Sequence, residues 1–164
     1  MIFVTVGTQL PFDRLIRGVD AWAARNPGIR VHAQTGHVPP DGYHPRHMHS
    51  SPMLDPETFG RLFRSARLVV AHAGTGSLLQ FNAYGTPILV MPRKAALGEH
   101  RNDHQMATAR HFGTRNGVQV VYEEEDLAPT IDALLSGAPQ VPDLRTSADP
   151  ELIATLRRVI FPSG

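Results

Sequence analysis

LVVAHAGTGSLLQFNAYGTPILVMPR, residues 68–93, decides the fold. Its opening, LVVAH (68–72), is an apolar β-branched run without polar alternation, as expected of a strand buried on both faces. AGTGS (73–77) is a glycine turn, and LLQFNAY (78–84) reads as a helix stopped by Gly85. Pro87 then opens a second strand, PILVM (87–91). Strand, helix and strand joined by turns this short form a βαβ unit, which makes the two strands parallel.

Working outward, the same pattern repeats on both sides. IFVTV (2–6) is a strand closed by Gly7, Thr8 and Gln9. Pro11 opens a helix that places Phe12, Leu15, Ile16, Val19 and Trp22 at helical spacing, and Asn26-Pro27-Gly28 ends it. IRVHAQ (29–34) is the second strand. Thr35 to Pro56 reads as a long irregular connection with room for a short strand at about 46–51, and Asp55 is placed to cap a helix from Pro56 to about Ser65. Downstream, a helix is expected from about Asn102 to Arg115 and a strand at 118–121. The acidic run Glu123 to Asp126 suits a helix start. The fold expected is α/β, a single Rossmann-like domain with a parallel sheet. Residues 1–164 would form that one domain: core 1–136, linker 137–150 and an amphipathic C-terminal helix at 151–160.

Composition narrows the function classes. A chain of 164 residues fits one domain, and 41% hydrophobic with 19% charged residues excludes disorder as the main description. Sixteen basic against 15 acidic residues give a net charge of +1, too little for a nucleic-acid surface. Cysteine is absent, which excludes disulfides and thiolate metal sites and fits a reducing compartment. No run approaches the ~20 apolar residues of a membrane span. The N-terminus MIFVTVGTQ lacks the basic start of a signal peptide. The expected location is cytoplasmic.

Chemistry concentrates where strands end. His72-Ala73-Gly74-Thr75-Gly76-Ser77 leaves a buried strand and enters a helix, where open α/β sheets bind ligands. Glycines let backbone N–H groups approach an anion, and the helix N-terminus adds positive potential. The chemistry implied is diphosphate or phosphate binding, although such a turn equally serves tight strand-to-helix packing. A third glycine at dinucleotide-fingerprint spacing is missing, as is the Lys-Ser/Thr of a P-loop, so NAD and ATP hydrolysis are excluded. After the next strand come Arg93, a candidate for phosphate charge, and then GEHRNDHQ (98–105). In that run Asn102 or Asp103 is a helix cap and Gln105 a ligand donor. His100 and His104 are spaced i,i+4 but lack a third ligand, so no metal is expected, and His37, His44, His47 and His49 fit no zinc pattern. Gly7-Thr8-Gln9 is a third turn at the same sheet edge.

Together, VTVGTQ.PFDRLI (4–16), VVAHAGTGS (69–77), GTPILVMPR (85–93) and NDHQ (102–105) resemble the C-terminal domain of family 28 glycosyltransferases, of the GT-B type. The likeness covers roughly residues 1–120 and is strongest to stand-alone members: the small subunit of the two-part dolichol-linked N-acetylglucosamine transferase and bacterial exopolysaccharide counterparts. The resemblance implies a UDP-sugar donor, with no further cofactor. Gly74, Thr75, Gly76 and Ser77 would lie against the diphosphate with His72 beneath them, and Gly7 and Thr8 would close on the phosphates. The backbone at Met53 and Leu54 would receive the uracil. Asn102, Asp103, His104 and Gln105 match the segment facing the sugar, His104 and Gln105 being the catalytic candidates. Gln80 stands where relatives often carry a carboxylate for the ribose, a weaker partner for a diol.

A GT-B catalyst needs two Rossmann halves, so a chain this short reads as the donor half of an inverting hexosyltransferase. A membrane-associated acceptor-domain partner would complete it and recruit it to the cytoplasmic membrane face. The final helix, with Leu152, Ile153, Leu156, Val159, Ile160 and Phe161, is either a docking element or packs on its own domain. Other readings are a non-catalytic nucleotide-sugar-binding or enhancer module, and a self-sufficient homo-oligomer using His72 or His104 as base.

Overall fold

The computed structural model describes residues 1–137. The helix expected at 151–160, and the linker expected at 137–150 beyond Gly137, lie outside the described residues. Six strands, β1 (Ile2–Thr5), β2 (Val31–Gln34), β3 (His49–Ser51), β4 (Leu68–His72), β5 (Ile88–Met91) and β6 (Val118–Val120), form one sheet in the order β3-β2-β1-β4-β5-β6. Every pairing is parallel. The strand order reverses between β1 and β4, and the crevice that opens there at the carboxyl ends of the strands is where such sheets take ligands.

Alternation along each strand builds two cores. Ile2, Val4, Leu68, Val70, Leu89 and Met91 face helices α1 (Asp13–Arg25) and α5 (Leu127–Ser136). Phe3, Val69, Ala71, Ile88, Val90 and Val118 face α2 (Pro56–Ser65), α3 (Thr75–Tyr84) and α4 (His104–Phe112). Register makes these rows continuous, since Phe3 lies beside Val69, Val69 beside Ile88 and Ile88 beside Val118. Both faces are therefore covered, which is why the strands read as unbroken apolar runs. Gly18 lets α1 approach α5 closely: a Cβ there would lie 2.6 Å from Leu127 Cδ2. Trp22 on the same helix is buried and donates from Nε1 to Asp132 at 2.7 Å.

The long connection after β2 holds β3 at the sheet edge, three residues of its expected 46–51 window. The part before it is pinned to α1. Asp20, only 1% exposed, accepts from Tyr43 Oη at 2.7 Å and from the backbone N–H groups of Arg46 and His47. Burial alone would raise the Asp20 pKa, but these hydrogen bonds outweigh it and hold the carboxyl below its usual value. Asp13 adds a bond from the Tyr43 N–H at 3.0 Å. Asp55 caps α2, accepting from Thr58 N at 2.9 Å, as expected.

Helix α4 is shorter than the expected 102–115. It starts at His104, and Asp103 in the N-cap position makes no side-chain cap. Its carboxylate accepts from Ala95 N in the preceding loop at 2.8 Å, while Asn102 accepts from the N–H of the first helical residue, His104, at 3.3 Å. At its other end it stops at Phe112, before Gly113. Helix α3, by contrast, starts three residues earlier than the expected Leu78, at Thr75, so the glycine turn forms its first turn. Among the described residues no helix is long and apolar enough to cross a membrane.

Candidate functional site

A cleft of about 500 Å3 lies over the crevice between β1 and β4. That volume is within the range of small-molecule sites. Gly7 and Thr8 after β1 form one wall, Gly74 to Ser77 after β4 form the floor, and His100 from the β5–α4 loop with His104 and Gln105 from the first turn of α4 form another wall. Gln80 from α3 and Met53 and Leu54 after β3 also line it. The sheet topology thus brings turns nearly a hundred residues apart onto one ligand-sized space.

The floor has the form of an anion site. Gly74 is the N-cap of α3 and no side chain caps the helix, so the first-turn N–H groups keep no side-chain acceptor. Thr75 and Gly76 are exposed at this end, and a Cβ built on Gly76 meets nothing within 4 Å. The free N–H groups and the helix dipole both favour a negative ligand.

His72 supports this floor from below. A Cβ on Gly74 would come within 2.0 Å of His72 Nε2, and one on Gly7 within 2.8 Å of Cε1. The two turns therefore close on one imidazole, and only glycine leaves the ring its space. Gly7 also has φ +82°, a conformation that disfavours any side chain. Burial, then the charge of Arg93 and that of His100, lower the His72 pKa to about 4, against a raising hydrogen bond to the Thr5 backbone. The ring is therefore neutral at pH 7.

A stability prediction follows from the sign of this shift. Between about pH 6.5 and 4 the unfolded chain protonates His72 while the folded chain does not, so stability is full above that window and falls as pH drops through it. The loss reaches roughly 3 kcal/mol by pH 4. Urea denaturation across this range should show a shallower pH dependence for His72→Asn than for the native chain. Parallel curves would show that the ring titrates alike in both states.

Arg93 lines the cleft, and its guanidinium is engaged by backbone carbonyls. The side chain is buried, and its guanidinium donates to the carbonyls of Val6, Leu10 and Pro11 at 2.9, 2.7 and 2.6 Å and to that of Glu99 at 3.4 Å. It stacks 4.5 Å from the Phe12 ring. Burial lowers its pKa to about 10, opposed by Glu99. Arg93 thus braces the backbone after β1, satisfying the buried Val6 carbonyl and the part-buried ones of Leu10 and Pro11.

Gln105 is buried, and its Oε1 accepts from Arg93 N at 3.2 Å, which leaves the amide NH2 as its donor for a ligand. His104 is exposed at the start of α4 and its ring nitrogen Nδ1 contacts Asn102 Oδ1. Burial and His100 lower the His104 pKa. Asn102 and Asp103 are exposed and hold the loop, as described above. Gln80 Oε1 is buried without a partner. Met53 is 54% exposed at the rim. The N–H of Leu54 already donates to Gln34 Oε1 at 3.0 Å, so any uracil contact there falls to other backbone groups.

Three contributors escaped the sequence reading. Gln34, buried at the end of β2, links the Leu54 N–H to the Gly7 carbonyl through its amide, the latter at 3.3 Å. Glu99 anchors the β5–α4 loop, accepting from Arg14 at 2.7 and 2.9 Å and from Lys94 N at 2.8 Å. His100 lines the cleft with its ring 4.5 Å from that of His104, edge to face. Only the GEH run signalled the last two, as a polar density beyond what capping needs. Among the described residues no group of three or more His, Asp or Glu converges as a metal site would require.

Comparison with known proteins follows this geometry. Residues 1–151 match the glycosyltransferase family 28 C-terminal domain. Two similar relatives are UDP-N-acetylglucosamine--N-acetylmuramyl-(pentapeptide) pyrophosphoryl-undecaprenol N-acetylglucosamine transferases. The one from Trichodesmium erythraeum is 28% identical over 132 residues, 79% of this chain and 33% of the relative. The one from a Synechococcus species is 30% identical over 111 residues, 66% of this chain and 31% of the relative. The chain thus spans about a third of the length of these relatives. Among solved structures, ALG13 aligns with a TM-score of 0.61 at 20% identity, covering 98% of this chain and 96% of that one. MurG of Acinetobacter baumannii aligns with a TM-score of 0.64 at 16% identity, covering 96% of this chain and 48% of that one. These two structural likenesses speak for the fold.

Proposed function

We propose, for a chain that belongs to the glycosyltransferase family 28 C-terminal domain family, that its cleft binds a UDP-sugar. On this reading it is the donor-binding part of an inverting hexosyltransferase whose acceptor is lipid-linked or a polysaccharide. The observation that carries the reading is the uncapped N-terminus of α3, built from Gly74 to Ser77, opening onto a ligand-sized cleft at the β1/β4 switch point. Relatives whose names specify an N-acetylglucosamine transferase acting with UDP-N-acetylglucosamine support the same donor class.

The chemistry assigned to the chain is positioning and charge stabilisation. An acceptor hydroxyl oxygen bonds to the sugar C1 as the bond from C1 to the diphosphate oxygen breaks. The hydroxyl proton goes to a base, and the bond electrons leave with UDP. Free N–H groups of α3 would face the charge that grows on the leaving diphosphate, a form of preorganised stabilisation. Gly7 and Thr8 would close on the phosphates. The Gln105 amide and His104 would meet the sugar hydroxyls, and Gln80 Oε1, lacking a protein partner, would accept from the ribose.

His72 is poorly suited as the base, since a pKa near 4 makes it a weak proton acceptor. With His72 set aside, the proton passes to His104 or, as the two-component reading has it, to a base on an acceptor-side partner at the membrane. ALG13, a solved chain of nearly the same extent with this fold, supports treating the donor half as a separable unit.

The test is a thermal-shift panel of UDP-N-acetylglucosamine, UDP-glucose, UDP-galactose and UDP-glucuronic acid, followed by turnover on a lipid acceptor with and without a candidate partner. At least one UDP-sugar should raise Tm, because ligand that binds only the folded state stabilises by mass action. Turnover should need the partner. If no UDP-sugar shifts Tm, the donor assignment is wrong. Full-rate transfer by the chain alone would refute the two-component form.

A further inference from the structure

We propose that His100 supplies an additional hydrogen bond to the distal phosphate of the bound nucleotide, donated from Nε2–H. This rests on the UDP-sugar reading above and adds to it a contact made by a residue outside the matched motifs. His100 lines the cleft from the loop between β5 and α4. Its Nδ1 is shut off from solvent and has no hydrogen-bond partner. Neither ring nitrogen bonds to another described residue.

That pattern selects the tautomer. Nδ1 lacks a partner in either tautomer, but a buried N–H without an acceptor is the rarer of the two arrangements in folded proteins. On Nε2 the same proton is served by water or a ligand. With its proton on Nε2 the ring presents an N–H donor to the cleft and keeps the enclosed nitrogen behind it.

Its place in the site points to phosphate. On one side the ring meets His104 at 4.5 Å, in the segment assigned to the sugar. On the other, His100 is close enough to His72 to influence its charge, and His72 lies under the glycine turn assigned to the diphosphate. Between sugar and turn lies the phosphate that carries the sugar. The uracil end, at Met53 and Leu54, belongs to the connection after β3 and is supplied by a different part of the sheet edge.

The ring is also held before any ligand arrives. Glu99 is fixed through its carboxylate by Arg14 at 2.7 and 2.9 Å and by Lys94 N at 2.8 Å. Its carbonyl takes a further bond from Arg93 at 3.4 Å. Arg14 in turn donates to the carbonyls of Tyr122 and Pro92, so the clamp joins α1 to the ends of β5 and β6. The residue after such a clamp loses little freedom on binding, which is the condition for one hydrogen bond to matter.

Isothermal titration calorimetry with UDP, UMP and uridine tests the assignment on the native chain, His100→Ala and His100→Gln. For His100→Ala, Kd for UDP should rise about tenfold, the scale of one hydrogen bond to a charged group. Kd for UMP and uridine should stay the same within about twofold, within the additivity expected of separate contacts. His100→Gln should recover most of the UDP affinity, since its amide NH2 extends to about where Nε2 lies. Unchanged UDP affinity in His100→Ala, an equal loss for UMP, or no recovery in His100→Gln would each overturn the contact. If His100→Ala does not fold, His100→Asn takes its place, because its shorter amide stops short of the Nε2 position and should show the same selective loss. A native chain that fails to bind UDP at all overturns the donor reading instead.

Discussion

Gly76→Val should abolish UDP-sugar binding while leaving the chain folded. Gly76 lies in the first turn of α3, and a Cβ there meets no protein atom within 4 Å, so the fold has room for the new side chain. Replacing glycine in a helix favours folding, by up to about 1 kcal/mol for alanine. A diphosphate held by the N–H groups of that turn would need the same space. Stability and affinity should therefore move apart: Tm equal to or above the native value, and calorimetric Kd for the UDP-sugar weakened by about a hundredfold or more, as when several charge-assisted bonds are lost together. Gly76→Ala should fall between, with the same or higher Tm. Native affinity in a folded Gly76→Val would move the phosphate site away from α3.

Arg93→Met should do the opposite, damaging the fold before the chemistry. Methionine fills much of the same volume and keeps contact with Phe12, but it donates nothing. The carbonyl of Val6 would lose its guanidinium partner in a buried setting, and those of Leu10 and Pro11 in a part-buried one. An orphaned buried acceptor costs about 1–3 kcal/mol and a part-buried one less, so a loss of roughly 2–3 kcal/mol in urea denaturation is expected. Stabilities within about 1 kcal/mol of each other, the ordinary effect of a point substitution, would show that Arg93, which also lines the cleft, does not brace the turn. Arg93→Lys is not conservative here, since one ammonium cannot reach carbonyls that the planar fork reaches together.

These two residues also mark what could be read from the chain. The helix from Leu78 onward was legible because β4, the glycine turn and α3 differ in period and composition, and those differences are local; that Thr75, Gly76 and Ser77 form its first turn was not. Arg93 was not legible as a brace. In sequence it is a cation after a strand in a polar segment, and only the folding of the Phe12 turn over it makes it interior. Asp20 is similar: one acid within an amphipathic helix, whose partners Tyr43, Arg46 and His47 arrive from more than twenty residues away. Strand β3 carries only His49, Ser50 and Ser51, with no apolar signal, so it exists by pairing with β2 at the edge. The ends of α4 depended on which groups Asn102 and Asp103 would bind, a question of loop closure that helix propensity does not answer. Local pattern thus located the ligand end of the sheet, while the roles of buried polar groups came from contacts distant in sequence.

The imidazole shared by Gly7 and Gly74 has a consequence for how this protein can change over generations. With His72 present, a methyl at residue 74 meets Nε2 at 2.0 Å, so a drift to alanine there is closed. Once residue 72 is smaller, that route opens, and alanine at 74 becomes a modest change. Gly7 stays restricted even then, because its φ of +82° disfavours a side chain for its own reason. The order of substitutions therefore matters: residue 72 must yield first, residue 74 can follow, and residue 7 is the last to be free. Descendants of this chain should inherit positions 72 and 74 as a linked pair, although two residues on different sides of a turn give no hint of it in sequence.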